Sequence, residues 1–96
     1  MELEQAIVER LRKVIDPETG ADVVRMRLIE ELHVDGETGR VSYKFRPSSP
    51  LCPLAIFLAL SIRHAVAEVP GVTEQAIEVV DYVGASDLNV LLRELV

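Results

Sequence analysis

Ninety-six residues, 49% of them hydrophobic, suffice for one compact domain, residues 1–96, with its own core, so neither metal nor disulfide is obligatory for folding. Ten Lys and Arg against sixteen Asp and Glu leave a formal charge of -6, which repels nucleic-acid phosphates and anionic membrane surfaces. Met-Glu-Leu-Glu lacks the cationic opening of a secretory signal, the lone Cys52 cannot form an intrachain disulfide, and the apolar run Leu54 to Leu60 is far shorter than the roughly 20 residues of a membrane span, so a cytoplasmic location is expected.

From Glu2 to Ile15 the apolar residues Leu3, Ile7, Leu11, Val14 and Ile15 have the spacing of a helix with one buried stripe. Asp16-Pro17 stops it, because the residue before proline is pushed out of the helical region, and Thr19-Gly20 continues as a turn. Val24, Met26, Leu28, Leu32 and Val34 then alternate with the period of a strand, although Glu30 interrupts the inner row. Val41, Tyr43 and Phe45 form a second inner row, and the turn formers between predict a hairpin with Gly36 to Gly39 as its loop. Facing residues share a side of the sheet, so Val41 is expected against Val34, Tyr43 against Leu32, and Phe45 against Glu30.

The second helix is predicted from Cys52 or Pro53 to about Glu68, closed by Pro70-Gly71. Its first half is apolar nearly all round, which points to burial against the first helix or a second copy of the protein, hence a homodimer. A third strand follows over about Gln75 to Val83 with Ile77 and Val79 inward, beside either the first or the second strand. Ser86 or Asp87 is expected to cap a terminal helix bearing Leu88, Leu91, Leu92 and Leu95 on one face. The order helix-strand-strand-helix-strand-helix predicts a two-layer α/β sandwich, an α+β fold with a small three-stranded sheet.

Pro53 suits the first position of a helix, where its missing N–H is no loss, and this puts Cys52 at the N-cap; Ser49-Pro50 is a competing start. Either start places Cys52 in the first turn, where the helix dipole favours a thiolate, whereas burial would make the same residue a small inert hydrophobe. Extending the hairpin register puts Pro47 opposite Leu28 and Ser49 opposite Met26, so the chain reaches Cys52 at the sheet edge that also receives the Asp-Pro turn. Asp16, Pro17, Glu18, Arg25, Arg27, Ser48, Ser49 and Pro53 are therefore candidates to line one cleft with Cys52, or else a solvated turn and surface.

His64 follows Cys52 by twelve residues, about 18 Å along a helix at roughly 1.5 Å each. His33 lies beside the hairpin turn, about 20 Å from that edge at roughly 3.3 Å per strand residue. Neither serves the thiol as a base within one chain. One Cys and two distant His do not make a zinc site, and a cluster needing four thiolates would have to be shared between chains or held with a partner. Gly36 to Gly39, "GETG", matches the GxxG of KH domains, but it joins two strands, carries Glu37 in place of a basic residue, and reads as a hairpin turn.

"IDPETG", a strand pair, "SSPLCPLA", an apolar helix and "VPGV", taken together, resemble the small iron-sulfur assembly family that includes SufT and the PaaD-like accessory proteins, formerly called domain of unknown function fifty-nine. The resemblance covers about Leu3 to Val80. It implies that Cys52 acts in cluster assembly or transfer, as ligand of a transient iron-sulfur cluster, with Asp16-Pro17-Glu18 beside it. It further implies no turnover chemistry, and assembly proteins or client apoproteins as partners. Three departures stand out: Arg27 occupies the glycine position of the family's Leu-Gly-Leu-Val stretch, Arg46 and Ser48 replace the strand-end threonines, and "DYVGASDLNVLLRELV" replaces the usual Trp- and Pro-rich tail. The rival expectation is a non-catalytic interaction module with a structural cysteine.

Overall fold

A computed structural model, describing residues 2–17, 19–51 and 53–94, orders the chain as α1 (Leu3–Leu11), β1 (Ile29–Asp35), β2 (Arg40–Phe45), α2 (Ala55–Ala67), β3 (Glu74–Val79) and α3 (Ala85–Glu94). The strands form one sheet in the order β1-β2-β3, antiparallel between β1 and β2 and parallel between β2 and β3. The third strand therefore lies beside the second, and α2 is the crossover that a parallel pair requires. Val41, Tyr43, Phe45, Ile77 and Val79 point inward and pack with Ile7 and Leu11 of α1 and Leu58, Ile62 and Val66 of α2. Fully burying each such side chain contributes about 1.5–3 kcal/mol, so this seam between sheet and helices holds the α/β sandwich together.

The hairpin loop runs as expected from Gly36 to Gly39, with Asp35 paired to Arg40 and Val34 to Val41. Asp35 builds the turn: its carboxylate accepts the Glu37 and Thr38 amides at 2.9 and 3.3 Å, which hold its pKa below the usual carboxylate range. Nearer the other end the register slips. Glu30 pairs with Lys44 and Ile29 with Phe45, so Glu31 and Leu32 together stand against Tyr43. Glu31 takes φ 51°, the left-handed conformation of a bulge. Phe45 thus faces Ile29, not Glu30, and the charge that interrupted the inner row is turned out to meet Arg46 at 3.2 Å.

Other boundaries also moved. α1 ends at Leu11 because the chain is drawn into a bridge between Ile15 and Asp22, with the Val23 amide on the Val14 carbonyl at 3.0 Å; Ile15 is consequently exposed. The alternation at Val24 and Met26 belongs to a turn, since the Asp22 carboxylate accepts the Arg25 amide at 2.8 Å and the Met26 amide bonds to the Asp22 carbonyl. β3 stops at Val79, after which Asp81 takes φ 52°. Ser86 and Asp87 lie inside α3, which starts at Ala85; Leu88 and Leu92 are buried, Leu91 is exposed, and Leu95 lies outside the described residues. Asn89 closes the outer edge of β3: its side-chain amide donates to the Val79 carbonyl at 3.1 Å and its oxygen accepts the Val79 amide at 2.7 Å, as a fourth strand would.

The hairpin tip is anchored to the start of β3. The Thr73 amide donates to the Gly39 carbonyl at 2.9 Å and its hydroxyl to the Thr38 carbonyl at 2.6 Å. Gly39 has φ 80°, and a Cβ there would collide with the Gly71 carbonyl oxygen; Gly36 faces open space. Gly39→Ala is expected to cost about 2–4 kcal/mol in urea denaturation, and Gly36→Ala to stay within about 0.5 kcal/mol of wild type.

Candidate functional site

A series of backbone bonds gathers the distant segments at the end of the sheet opposite the hairpin. The Val23 amide bonds to Val14, the Leu28 amide to Val23 at 3.0 Å, and the Arg46 amide to the Leu28 carbonyl at 2.8 Å. The strand end after β2 is thereby tied through the 22–28 turn to the Asp16 turn. Because β2 and β3 run parallel, the end of β3 arrives at the same place: the Val80 amide bonds to the Phe45 carbonyl, and the Val83 amide to the Pro50 carbonyl at 2.9 Å.

Asp16 is fully buried, the one charged residue in the core among those described. Its backbone closes the turn, the carbonyl accepting the Gly20 amide at 2.8 Å and the amide donating to Ala21 at 2.9 Å. A carboxylate withdrawn from water is costly unless hydrogen-bonded or paired, so this turn is structurally committed in a way that the exposed Pro17 is not. The Thr19 hydroxyl donates to the Met26 sulfur at 3.0 Å and locks the Asp16 turn against the next one.

Arg27 comes to this end beside Leu28, whose carbonyl accepts the Arg46 amide. Arg27 is exposed and takes φ 59°, which explains why the resemblance expects glycine there. Register does not continue as expected: Leu28 meets Arg46, not Pro47, and Met26, held in its turn, does not pair with Ser49. Ser48 and Ser49 are exposed, and the Ser49 hydroxyl accepts the Leu51 amide at 3.2 Å, capping a local turn and not a helix. α2 begins at Ala55 with Leu54 at its N-cap, its first bond running from the Leu58 amide to the Leu54 carbonyl at 2.9 Å. Pro53 is therefore an exposed turn residue ahead of the helix, and not its first position; the Ser49 turn and the Pro50–Val83 bond hold the chain in a bend there. Cys52 and Glu18 lie outside the described residues.

Both histidines are exposed. His64 Nε2 stands 3.1 Å from Glu68, which also meets Arg10 at 2.8 Å and so joins α2 to α1. His33 belongs to the uncovered face of the sheet. Two open grooves of about 580 and 610 Å³ meet there, sharing His33, Ser42 and Ala76, and among the described residues none of the expected site residues lines either. Ion pairs cross that face: Lys44 lies 2.7 Å from Glu31 and Arg40 3.1 Å from Glu74. The hydrogen bond from Lys44 holds Glu31 below the usual carboxylate range. At the groove's inner wall the buried Tyr43 hydroxyl, its pKa pushed up by burial, donates to Gln75 at 2.9 Å. Among the described residues no three His, Cys, Asp or Glu side chains are grouped to hold a metal ion.

What the sequence reading missed is the loop after β3. Arg46 reaches Asp81 at 2.8 Å as well as Glu30 at 3.2 Å, and exposed Val83 lies beside exposed Leu51 through the Pro50 bond. The signal was available in the β2-helix-β3 order, since a parallel crossover returns β3 to the end where β2 stops.

This constellation sits inside a recognised sequence family. A family model described as iron-sulfur cluster assembly protein matches residues 4–79. The chain belongs to that family. It is 31% identical over 78 residues to an Fe-S protein maturation auxiliary factor, YitW, of Bacillus subtilis, covering 81% of this chain and 76% of that one. An iron-sulfur cluster carrier protein of Deinococcus radiodurans is 34% identical over 76 residues, 79% of this chain but 21% of the carrier, so this chain spans about a fifth of that relative. Among solved structures, a domain of unknown function, DUF59, from Bacillus anthracis superposes with a TM-score of 0.73 at 29% identity, covering 81% of this chain and 74% of that one.

Family membership bears on Arg27. A non-glycine residue in the left-handed region costs about 1–2 kcal/mol, offset in part by the flexibility that glycine adds to the unfolded chain. Arg27→Gly is therefore expected to raise stability by about 0.5–1 kcal/mol in urea denaturation.

Proposed function

We propose that this protein assists iron-sulfur cluster assembly or transfer, with the Cys52 thiolate as ligand to a cluster that is its cargo. The observation that carries the reading is the position of the Cys52-bearing segment within a chain of this family: it leaves β2 at Arg46, which is tied through Leu28 and Val23 to the stretch that enters the Asp16 turn, and beside which the loop after β3 begins at the Val80–Phe45 bond. The N-terminus of α2 follows Cys52 by three residues, and the unpaired amides of a first helical turn favour a nearby thiolate. One thiolate supplies one ligand of the four that a cluster normally takes, so the remainder come from a second chain, a partner or a small thiol, and the site can release what it holds. Asp16 and Glu18 orient the site, and Ser48 and Ser49 offer hydroxyls. No turnover chemistry is required, in keeping with relatives named as a carrier and an auxiliary factor. None of the described helices is long and apolar enough to cross a membrane; the acidic chain with one thiol is read as working in the cytoplasm, on assembly proteins or client apoproteins.

Anaerobic incubation with iron and sulfide tests the ligand role. Wild type is expected to gain visible sulfur-to-iron absorption and Cys52→Ser to lose most of it; identical spectra would remove Cys52 as ligand.

A homodimer is the second element of the proposal. It is supported by Ile56, Phe57 and Leu60, which are 48%, 56% and 38% exposed on one side of α2, with no charged residue between Leu54 and Ile62. A buried interface is the common fate of such a stripe. Sedimentation velocity should find a dimer for wild type and a monomer for Phe57→Glu, whereas a monomeric wild type would refute it.

A further inference from the structure

We infer that the open edge of β3 is a docking site for an extended basic segment of a partner protein, which joins the sheet as a further strand. Backbone groups alternate in direction along a strand. The Val80 amide turns toward β2 and bonds to the Phe45 carbonyl, whereas the Val79 amide and carbonyl turn away and are taken by the Asn89 side chain. Gln75 and Ile77 share the direction of Val79, and among the described residues nothing takes their outward amides and carbonyls. Asn89 thus closes only the last rung of this edge. The open rungs face the groove of about 580 Å³, whose lining here combines residues 75–78 of β3 with Asn89, Leu92 and Arg93 of α3. The opposite edge, β1, is blunted by the bulge at Glu31 and carries Glu30, Glu31 and Asp35.

The outer face of the sheet sets the charge of the occupant. Two rows cross it, Asp35–Arg40–Glu74 and Glu31–Lys44–Glu78, linked by the strand register and by the Arg40–Glu74 and Lys44–Glu31 ion pairs. Each row alternates acid, base, acid and ends on an exposed glutamate at the open edge. Between them the row His33–Ser42–Ala76 ends on a small side chain. Directly opposed residues on one face interact, so an added strand continues the alternation with Lys or Arg against Glu74 and Glu78 and a small residue against Ala76. On the helix side it meets Ile77 and Leu92, with Arg63 and Arg93 beside them, which favours an apolar residue there over a cation. A second copy of this chain does not fit. Antiparallel pairing of β3 with itself about Ala76, the register that uses both open rungs of each copy, sets Glu74 against Glu78 twice.

The test uses the full chain and a fluorescein-labelled, capped peptide, Thr-Val-Lys-Val-Ala-Val-Lys-Val-Thr, which presents the same side chains in either direction. Binding is followed by anisotropy and by amide NMR. Saturable binding is expected, with shifts concentrated at residues 74–79 and 89–93; Glu74→Gln/Glu78→Gln should weaken it at least about three-fold, and Glu in place of both peptide lysines at least about ten-fold. Main-chain pairing is tested by N-methylating either the two valines that flank the alanine or the alanine and both lysines. One set should abolish binding and the other spare it, since alternate amides of an added strand face β3. Absence of saturable binding, tolerance of both methylated sets, or wild-type affinity in the glutamine variant would overturn the inference. So would concentration-dependent shifts at residues 74–79 in the free protein, which would put a second copy on the edge. None of these readouts involves Cys52 or iron, so they stand apart from the proposed function.

Discussion

The hydrogen bond from the Arg46 amide to the Leu28 carbonyl is the constraint on which the rest of the site depends. Leu28 is the hinge between the 22–28 turn and β1, and Arg46 is where β2 ends and the Cys52-bearing segment begins. Closing that one pair brings the 22–28 turn and the segment after β2 to a single rim of the sheet. The bulge at Glu31 makes the closure possible. One added residue shifts the pairing so that Ile29, and not Glu30, covers the buried Phe45, and Glu30 swings outward to brace Arg46.

The two rims of the sheet are built for different purposes. At the hairpin end, Asp35, Gly39 and Thr73 tie the loop down with close hydrogen bonds. The other end carries a buried carboxylate, Asp16, and two left-handed non-glycine residues, Arg27 and Asp81. Local strain of this kind, about 1–3 kcal/mol per residue, is sustained by the packed seam of Phe45, Ile62 and Val66 behind it. The exposed Leu51 and Val83 stand on the same rim.

Much of the fold was legible in the residues because it follows period and turn chemistry. Val41, Tyr43 and Phe45 alternate against a loop rich in turn formers, Ile77 and Val79 repeat the pattern, and the apolar run of α2 identifies the buried helix. The turn at residues 22–27 was not legible by period, since Val24, Met26 and Leu28 alternate as a strand would; the cap that Asp22 gives to the Arg25 amide overrides them. A bulge has no periodic signature either, although a charged residue at Glu30 in an inner row was its trace. At the site, extending the hairpin register misplaces the segment after β2, because the bulge at Glu31 and the turn at residues 22–27 bring Leu28 to Arg46, while the Arg46–Asp81 pair spans 35 residues and depends on the parallel crossover.

The proposed function comes down to location: it requires cargo to be held at the rim formed by the Asp16 turn, the segment after β2 and the loop after β3. Amide NMR spectra recorded before and after anaerobic loading with iron and sulfide test this most directly, because paramagnetic iron broadens nearby signals. Broadening confined to residues 15–20, 46–54 and 80–84, with the hairpin at 35–40 unchanged, is the predicted result. Broadening centred on His33, Ser42 and Ala76 in the open groove, with the rim unaffected, would contradict it.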